Sequence, residues 1–217
     1  MIRIYKHPEP PQSLTKQTSW SDEDVVCQLK SDQEGKCYLC ERKLVTDFQV
    51  EHHKSRTNYP DLTYRWANLF WCCGYCNGKK SANYDNLLNP VEENVEELIE
   101  QRFDFPDSQV IFMSSSASVP VPVPVESTIE LLDKLFNGSS KLRKLREQQF
   151  YDYAKSRITS FQDIVLTWLD NPTEEIKNVI LEQLNIESEF LGFKYWIIKS
   201  NKRLLETFGE NIKWNKI

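Results

Sequence analysis

Two Cys-x-x-Cys pairs constrain this chain more than any other feature of its sequence. Cys37 and Cys40 form the first pair, and Cys73 and Cys76 form the second. Zinc takes four tetrahedral ligands, and two such pairs supply four thiolates. The alternative is that reduced cysteines simply pack in a core, but packing has no reason to repeat the two-residue spacing. We therefore predict a structural zinc ion held by these four residues.

The two remaining cysteines are assigned differently. Cys72 stands next to Cys73, but only Cys73 completes the two-residue gap to Cys76. Cys27 falls within a predicted helix and is expected to pack in a core. Clustered cysteines also occur in thiol redox proteins, which would form a reversible disulfide between Cys37 and Cys40. Four thiolates would close the coordination shell of zinc, so this ion would organise the fold and hydrolyse nothing.

The composition indicates a soluble folded protein. Hydrophobic residues make up 40% of the 217 residues and charged residues 27%, which disfavours disorder. No apolar run approaches the roughly 20 residues needed to cross a bilayer. The first residues lack the apolar core of a secretion signal. We expect a cytoplasmic protein with no membrane partner.

The net charge of -5 is unevenly distributed along the chain. Residues 42–80 carry 7 basic and 3 acidic residues, whereas residues 91–217 carry 15 and 21. A general DNA-coating protein would be basic throughout. We expect any contact with nucleic acid to use the basic stretch, and the acidic C-terminal helices to bind a partner protein.

Hydrophobic periodicity and turn residues predict a mainly α protein with a small α+β zinc-bound finger and a C-terminal helical domain. The predicted divisions are an N-terminal arm and short helix (1–35), the zinc module (36–90), a helix, strand and Ser/Val-Pro loop (91–126), and the helical partner-binding domain (127–217). Within them, helices are predicted near 22–31, 91–104, 140–169, 174–186 and 189–208, with a strand at 110–113. A capping box at Ser127–Glu130 predicts the start of a further helix that ends at Asn137-Gly138.

The residues that carry chemistry lie between and just after the cysteine pairs. They are Glu51-His52-His53, then Asn68, and finally Asn77 directly after the last cysteine. This order over about residues 37–80 resembles the zinc-bearing HNH, or ββα-metal, endonucleases. The resemblance implies a strand ending at Glu51-His52, a loop with Asn68, a second strand from Leu69 to Cys72, and a helix starting near Cys76.

The resemblance extends further to one subfamily, the PtuB-type HNH proteins of retron and Septu antiphage systems. It is carried by the opening Met1-Ile2-Arg3-Ile4 with its following prolines, the Val-Glu-His sequence, the Asn-Leu-Phe before the second pair and the helix start at Ser127. It implies a partner, the ATP-binding-cassette-like ATPase PtuA. In retrons it also implies a reverse transcriptase with its RNA–DNA hybrid.

Hydrolysis of a phosphodiester needs an activated water and a cation on the oxygens that gain charge. We assign the general base to His52, because a neutral imidazole suits proton removal at physiological pH. His53 is the alternative base or metal ligand, and His52 could instead be a structural group. Glu51 and Asn77 are the candidate ligands of a catalytic Mg²⁺ or Mn²⁺ ion, which prefers oxygen ligands.

These assignments have alternatives. Many HNH proteins carry Asp before the histidine and His at the last position, where this chain has Glu51 and Asn77. Glu51 could only orient a neighbour, and Asn77 could cap the helix that follows. Asn68 is expected to tie the loop to the strand through amide hydrogen bonds and so hold His52.

Five basic residues are candidates for contact with substrate phosphates, although such residues are usually solvated surface charges. They are Lys54, Arg56, Arg65, Lys79 and Lys80. The sequence thus predicts the endonuclease subunit of an antiphage complex that is controlled by a partner ATPase. The competing hypothesis is a non-catalytic zinc module that binds a partner protein or nucleic acid.

Overall fold

The computed structural model describes residues 1–43, 46–104, 106–117, 119–138 and 143–214. About half of the chain is helical, and two small antiparallel sheets complete the architecture. This agrees with the predicted class, a mainly α protein with a small α+β module. Among the described helices, none combines the length and the apolar character needed to span a membrane.

The N-terminal half builds a strand–strand–helix unit behind a first helix. Helix α1 spans Glu23–Asp32, as the sequence predicted. Strands β1 (Phe48–His52) and β2 (Leu69–Cys73) pair antiparallel, and helix α2 (Gly74–Lys80) follows directly. The order is the one that the HNH resemblance implies, with the helix beginning two residues earlier than expected.

Strand β2 is buried along its whole length, and α1 packs against it. A side chain completes its hydrogen bonding. The amide of Gln33 accepts from the backbone N–H of Trp71 (2.7 Å) and donates to the carbonyl of the same residue (2.8 Å). Buried backbone groups must find partners, so this glutamine does what a third strand would otherwise do.

The predicted helix over residues 91–104 is wrong for most of its length. Only Val95–Leu98 is helical (α3), and Ile99–Asp104 forms strand β3. Strand β3 pairs antiparallel with β4, Gln109–Ser114, which confirms the predicted strand. Every second residue of β3 is buried, which is the pattern of a strand with one face on a core.

The helix predicted to begin at Ser127 begins earlier. Helix α4 spans Val123–Phe136, with Pro124 in its first turn, where a missing N–H costs no hydrogen bond. The Ser/Val-Pro segment is therefore shorter than the predicted loop, and its Ser118 lies outside the described residues. Asn137 ends the helix and Gly138 follows with a φ of 88°, as the sequence predicted.

The C-terminal region is helical, as predicted. Helix α5 spans Leu145–Asp170, and the predicted start near residue 140 lies outside the described residues. Helix α6 spans Glu174–Gln183. The single helix predicted over 189–208 is two helices, α7 (Leu191–Lys199) and α8 (Lys202–Phe208). The break occurs because the Asn201 side chain accepts from the Leu204 N–H and so caps α8.

The buried apolar residues form two clusters. The larger cluster combines the N-terminal arm, the cysteine region, β3, β4, α4 and the first half of α5. The smaller cluster lies between the second half of α5 and helices α6 to α8. The cysteine-bearing module is thus packed into the main core, and α5 runs from one core to the other.

Candidate metal centre and hydrolytic groove

The four predicted zinc ligands meet in one place. The Sγ atoms of Cys37, Cys40, Cys73 and Cys76 all lie within 4.8 Å of one another, and all four residues are buried. Within the described residues this is the cluster of metal-ligating side chains that the structure brings together. The arrangement can bind a metal ion such as zinc, which takes four thiolates tetrahedrally.

Backbone hydrogen bonds hold the first pair against the second. A tight turn brings the Cys37 N–H to the Arg42 carbonyl (3.0 Å). The N–H of Tyr38 then donates to the carbonyl of Trp71 on β2 (3.0 Å), next to the second pair. In the second pair, the Cys73 Sγ accepts from the Cys76 N–H at 3.3 Å, and Cys73 is the N-cap of α2.

The electrostatics of the cluster fit a bound cation. Burial, followed by the nearby Cys37 thiol, raises the pKa of Cys40 and of Cys76 well above the ordinary value for cysteine. Buried thiolates therefore need a positive ion close by to be stable. The Sγ of Cys72 lies 3.7 Å from that of Cys37, but Cys72 is outside the four-residue cluster. Cys27 is exposed, which corrects the expectation that it packs in a core.

A second feature lies at the end of β1 and beside α2. It is an open groove of about 920 Å³, which we call the hydrolytic groove after the role proposed for it below. Three of the four predicted catalytic residues line it: Glu51, His52 and Asn77. Strand β1 ends at Glu51 and His52, and α2 carries Asn77, so the strand–strand–helix unit brings them together.

The His52 ring is held on two sides. Its Nε2 lies 2.9 Å from the carbonyl oxygen of Thr63, so the Nε2–H donates there and Nδ1 keeps the lone pair. The Trp20 ring packs edge-on against it, with centroids 5.5 Å apart. Burial lowers the pKa of His52 to about 4. The imidazole is therefore neutral at physiological pH, the form that accepts a proton.

Glu51 forms a buried ion pair that the sequence did not indicate. The Lys80 ammonium lies 2.9 Å from one carboxylate oxygen of Glu51 and also donates to the main-chain carbonyl of His52 (3.0 Å). Burial raises the pKa of Glu51, and the charge of Lys80 opposes that rise. Lys80 is 0% exposed. It ties α2 to the end of β1 and lies where no phosphate can reach it.

Asn77 lies in the second turn of α2, so it does not cap that helix. Its side-chain nitrogen donates to Oε1 of Gln49 on β1. This leaves the amide oxygen of Asn77 for another partner. Lys80 contacts one of the two carboxylate oxygens of Glu51, so the other oxygen can also bind another partner. Two oxygen donors therefore line the same groove, which suits a hard divalent cation.

Asn68 makes the amide hydrogen bonds expected of it. Its oxygen accepts from the Lys54 N–H (2.7 Å), and its nitrogen donates to the carbonyls of Lys54 (3.0 Å) and Leu62 (3.1 Å). These bonds join the segment after β1 to the segment that supplies Thr63. Asn68 is buried and lies outside the hydrolytic groove, so it fixes the surroundings of His52 rather than touching a substrate.

His53 points the other way. It packs against the edge of the stacked Tyr38 and Phe70 rings, and its buried Nδ1 has no hydrogen-bond partner among the residues that the structure describes. Burial lowers its pKa to about 4. It does not line the groove and does not join the cysteine cluster. The structure thus distinguishes the two neighbouring histidines by position.

The structure separates the basic residues that were proposed for phosphate contact. Arg56 is exposed and lines the hydrolytic groove. Arg65 is exposed on a different groove. The ammonium of Lys54 donates to the Asp85 carbonyl, and that of Lys79 is paired with a carboxylate on α5, so both bind within the protein.

Sequence reasoning missed several residues that shape the site. Trp20 precedes α1, and no motif connects it to His52. Asp85 follows α2, and its carboxylate accepts hydrogen bonds from the backbone and hydroxyl of Ser55 (2.6 and 2.9 Å) and from the Asn58 amide (2.6 Å). These bonds hold the loop after β1 in place and lower the pKa of Asp85. Only the three-dimensional fold reveals them.

The fold and the site define a mainly helical protein with a four-cysteine metal-binding module. No protein-family model matches the chain. Over 75 residues, 33% of its length, the chain is 32% identical to the Septu protein PtuB of Bacillus thuringiensis. The match spans 29% of that protein. The similarity supports a relationship to Septu proteins over about a third of the chain.

Proposed function

We propose that this protein is the HNH-type endonuclease subunit of an antiphage defence complex. The observation that carries the proposal is the common groove of Glu51, His52 and Asn77 beside a four-cysteine metal site. The similarity to a Septu PtuB protein supports the defence role. The four cysteines hold a structural zinc ion, and the hydrolytic groove binds the scissile phosphodiester.

In this mechanism His52 is the general base. Its Nδ1 takes a proton from a water molecule that attacks phosphorus, and the bond to the 3′ oxygen breaks. The leaving 3′ oxygen takes a proton from solvent water, so the products carry 5′-phosphate and 3′-hydroxyl ends. The Thr63 carbonyl holds the ring in the required tautomer, and Arg56 meets a phosphate oxygen. Glu51 and Asn77 would hold Mg²⁺ or Mn²⁺, which would supply positive charge to the phosphate oxygens.

The decisive experiment compares wild type with His52→Ala. We expect the variant to lose about 10²- to 10⁴-fold in cleavage rate, the usual contribution of a general base. The measurement is metal-dependent cleavage of labelled nucleic acid by the chain purified with its operon partner. His7→Ala is the matched control, because His7 is exposed in the N-terminal arm. Equal cleavage by His52→Ala and wild type would remove His52 as the base.

A non-catalytic zinc module is the competing function. The ion pair with Lys80 favours it, because that pair already satisfies part of the Glu51 carboxylate. The same experiment decides between the two functions. If the wild-type complex cleaves neither DNA nor RNA with Mg²⁺ or Mn²⁺, the binding module is the better assignment.

We propose further that the C-terminal helices bind a PtuA-like ATPase. The support is their acidic charge, which repels a phosphate backbone, together with an exposed apolar groove between α5 and α8. Leu166 lines this groove and is 62% exposed. Co-purification of a reverse transcriptase with its RNA–DNA hybrid would assign the complex to the retrons rather than to two-gene Septu systems.

Replacing Leu166 by arginine is expected to reduce co-purification with the ATPase at least tenfold, because a charge would be buried in an apolar contact. Leu145→Arg is the control. Leu145 lies on the same helix, is 77% exposed and lies outside the groove. The measurement is the ratio of the two subunits after affinity purification and gel filtration. An intact complex with Leu166→Arg would refute this contact.

A further inference from the structure

A second groove adjoins the hydrolytic groove. It has a volume of about 1040 Å³ and contains Tyr64, Arg65 and Trp66 in its lining. The two grooves share an aromatic boundary, since Trp20 lines the first and Tyr64 the second, with ring centroids 6.1 Å apart. Trp20 also touches the His52 ring. The second groove therefore begins two ring contacts away from the proposed general base.

The three rings along this boundary, Trp20, Tyr64 and Trp66, are only half-buried. We call them the aromatic wall. Cations accompany them. The Arg56 guanidinium lies 4.1 Å from the Trp20 ring centroid, and the exposed Arg65 lines the second groove beside Trp66. The Lys6 ammonium lies 3.7 Å from the Trp66 ring centroid, but it donates to the main-chain carbonyls of Trp66 and Leu69 and so binds within the protein. Aromatic faces interleaved with cations are the usual construction of a surface that binds single-stranded nucleic acid.

The charges beside the aromatic wall and the rings of the wall together indicate which class of ligand binds there. Tyr64 and Trp66 belong to the basic stretch of an otherwise acidic chain, and Arg65 is exposed between them, which favours a polyanion. Bases stack on aromatic rings only when they are unpaired, because a duplex hides their faces. An acidic peptide would satisfy the cations but would leave the rings without a flat partner.

We propose that Trp20, Tyr64 and Trp66 stack unpaired bases next to the scissile phosphate, so that the substrate is a nucleic acid with a single-stranded segment at the cut site. This inference rests on the proposed nuclease function and names its substrate class. Arg56 and Arg65 bind the phosphates on either side of the stacked bases. Every base has a flat aromatic face that can stack on these rings, so binding to the aromatic wall does not depend on the base sequence.

The test uses the full-length zinc-loaded chain with no added divalent cation, so that binding is measured without cleavage. The variant is Tyr64→Leu, which keeps apolar volume and removes the ring. The probes are a fluorescent single-stranded oligonucleotide, a hairpin duplex, and an abasic strand with the same number of phosphates. Tyr64→Phe keeps the ring, and Tyr59→Leu removes a 38% exposed tyrosine that lines neither groove.

We expect Tyr64→Leu to weaken binding of the single strand about 5- to 100-fold, the usual loss for one stacked base. Binding of the abasic strand and of the duplex should be unchanged. Tyr64→Phe and Tyr59→Leu should bind the single strand within about twofold of wild type, because neither alters a stacking ring of the wall. Trp20→Leu should show the same base-dependent loss of affinity. It replaces Tyr64→Leu as the test variant if Tyr64→Leu folds poorly.

Three results would overturn the inference. One is unchanged single-strand binding by both Tyr64→Leu and Trp20→Leu. Another is an equal loss on the abasic strand, which would mean that the wall senses phosphates alone. The third is displacement of the oligonucleotide by a polyglutamate peptide whose own binding depends on Tyr64. Failure of the nuclease proposal has a different signature, since it is read from cleavage by His52→Ala and not from binding.

Discussion

Replacing Cys73 by serine should abolish metal binding at the proposed zinc site and lower the melting temperature by about 10–20 °C. Structural zinc contributes about 10–16 kcal/mol in isolated fingers, and the loss of about 5 kcal/mol shifts the melting temperature of a chain of this size by that amount. The expected loss is smaller here than in an isolated finger, because the cysteines belong to a larger apolar core. The measurements are zinc content by mass spectrometry and thermal unfolding.

Two cysteines outside the cluster provide the controls. Cys27→Ser should retain one zinc per chain and the wild-type melting temperature, because Cys27 is exposed. Cys72→Ser should also retain its zinc, since its sulfur approaches Cys37 but lies outside the four-residue cluster. If Cys73→Ser kept a full equivalent of zinc while Cys72→Ser lost it, the ligand assignment would have to be exchanged between these neighbours.

The second large effect is expected at Lys80. Replacing it by methionine leaves the Glu51 carboxylate buried without its cation, and breaking such a pair from one side costs about 3–5 kcal/mol. The variant should also lose cleavage activity, because Lys80 holds the main-chain carbonyl of His52 as well. Denaturant unfolding and the cleavage assay are the two measurements.

A double variant distinguishes the loss of the Lys80 charge from the loss of the Lys80 side-chain packing. Glu51→Gln combined with Lys80→Met removes both charges, so it should recover most of the stability that Lys80→Met loses. Its cleavage activity should remain low, because the proposed metal ligand is gone. Lys30→Met is the control for a surface lysine on α1 and should change stability by less than about 0.5 kcal/mol. A Lys80→Met protein as stable as wild type would contradict the importance of the buried pair.

Local spacing was sufficient for the metal cluster, whereas the strand–strand–helix order was implied by the resemblance to the HNH endonucleases. A Cys-x-x-Cys pair is a short-range feature, and two of them limit the geometry of everything between them. His52 and Asn77 were also brought to one groove, because each lies at a fixed offset from a cysteine-bearing element. These parts of the candidate site depend on nearby residues, so sequence can predict them.

Other predictions failed because tertiary contacts outweighed local signals. In β3 the inward positions include Gln101, which is buried and breaks the apolar alternation that would have indicated a strand. In α4, Pro124 looked like a helix breaker but lies in the first turn. Lys80 was expected to contact substrate phosphates, yet it is fully buried against Glu51, which is distant in sequence.

The approach of Trp20 to His52 could not have been predicted at all. The tryptophan lies in an irregular segment 32 residues before the histidine, and no periodicity connects the two. The same is true of Asp85, whose hydrogen bonds to Ser55 and Asn58 depend on where the chain turns after α2. Residues that contribute to a site but lie outside its sequence motif can be identified only once the fold is known.

The glutamine that pairs with Trp71 has a consequence for how the chain behaves in a crowded cell. A two-stranded sheet offers unpaired edges, and an apolar strand such as β2 would be a template for intermolecular association if its edge were open. The Gln33 amide occupies both backbone groups of Trp71, so a foreign strand finds no register there. The Gln33 side chain, together with the Tyr38 N–H that shares the Trp71 carbonyl, thus closes this edge of β2 to another strand.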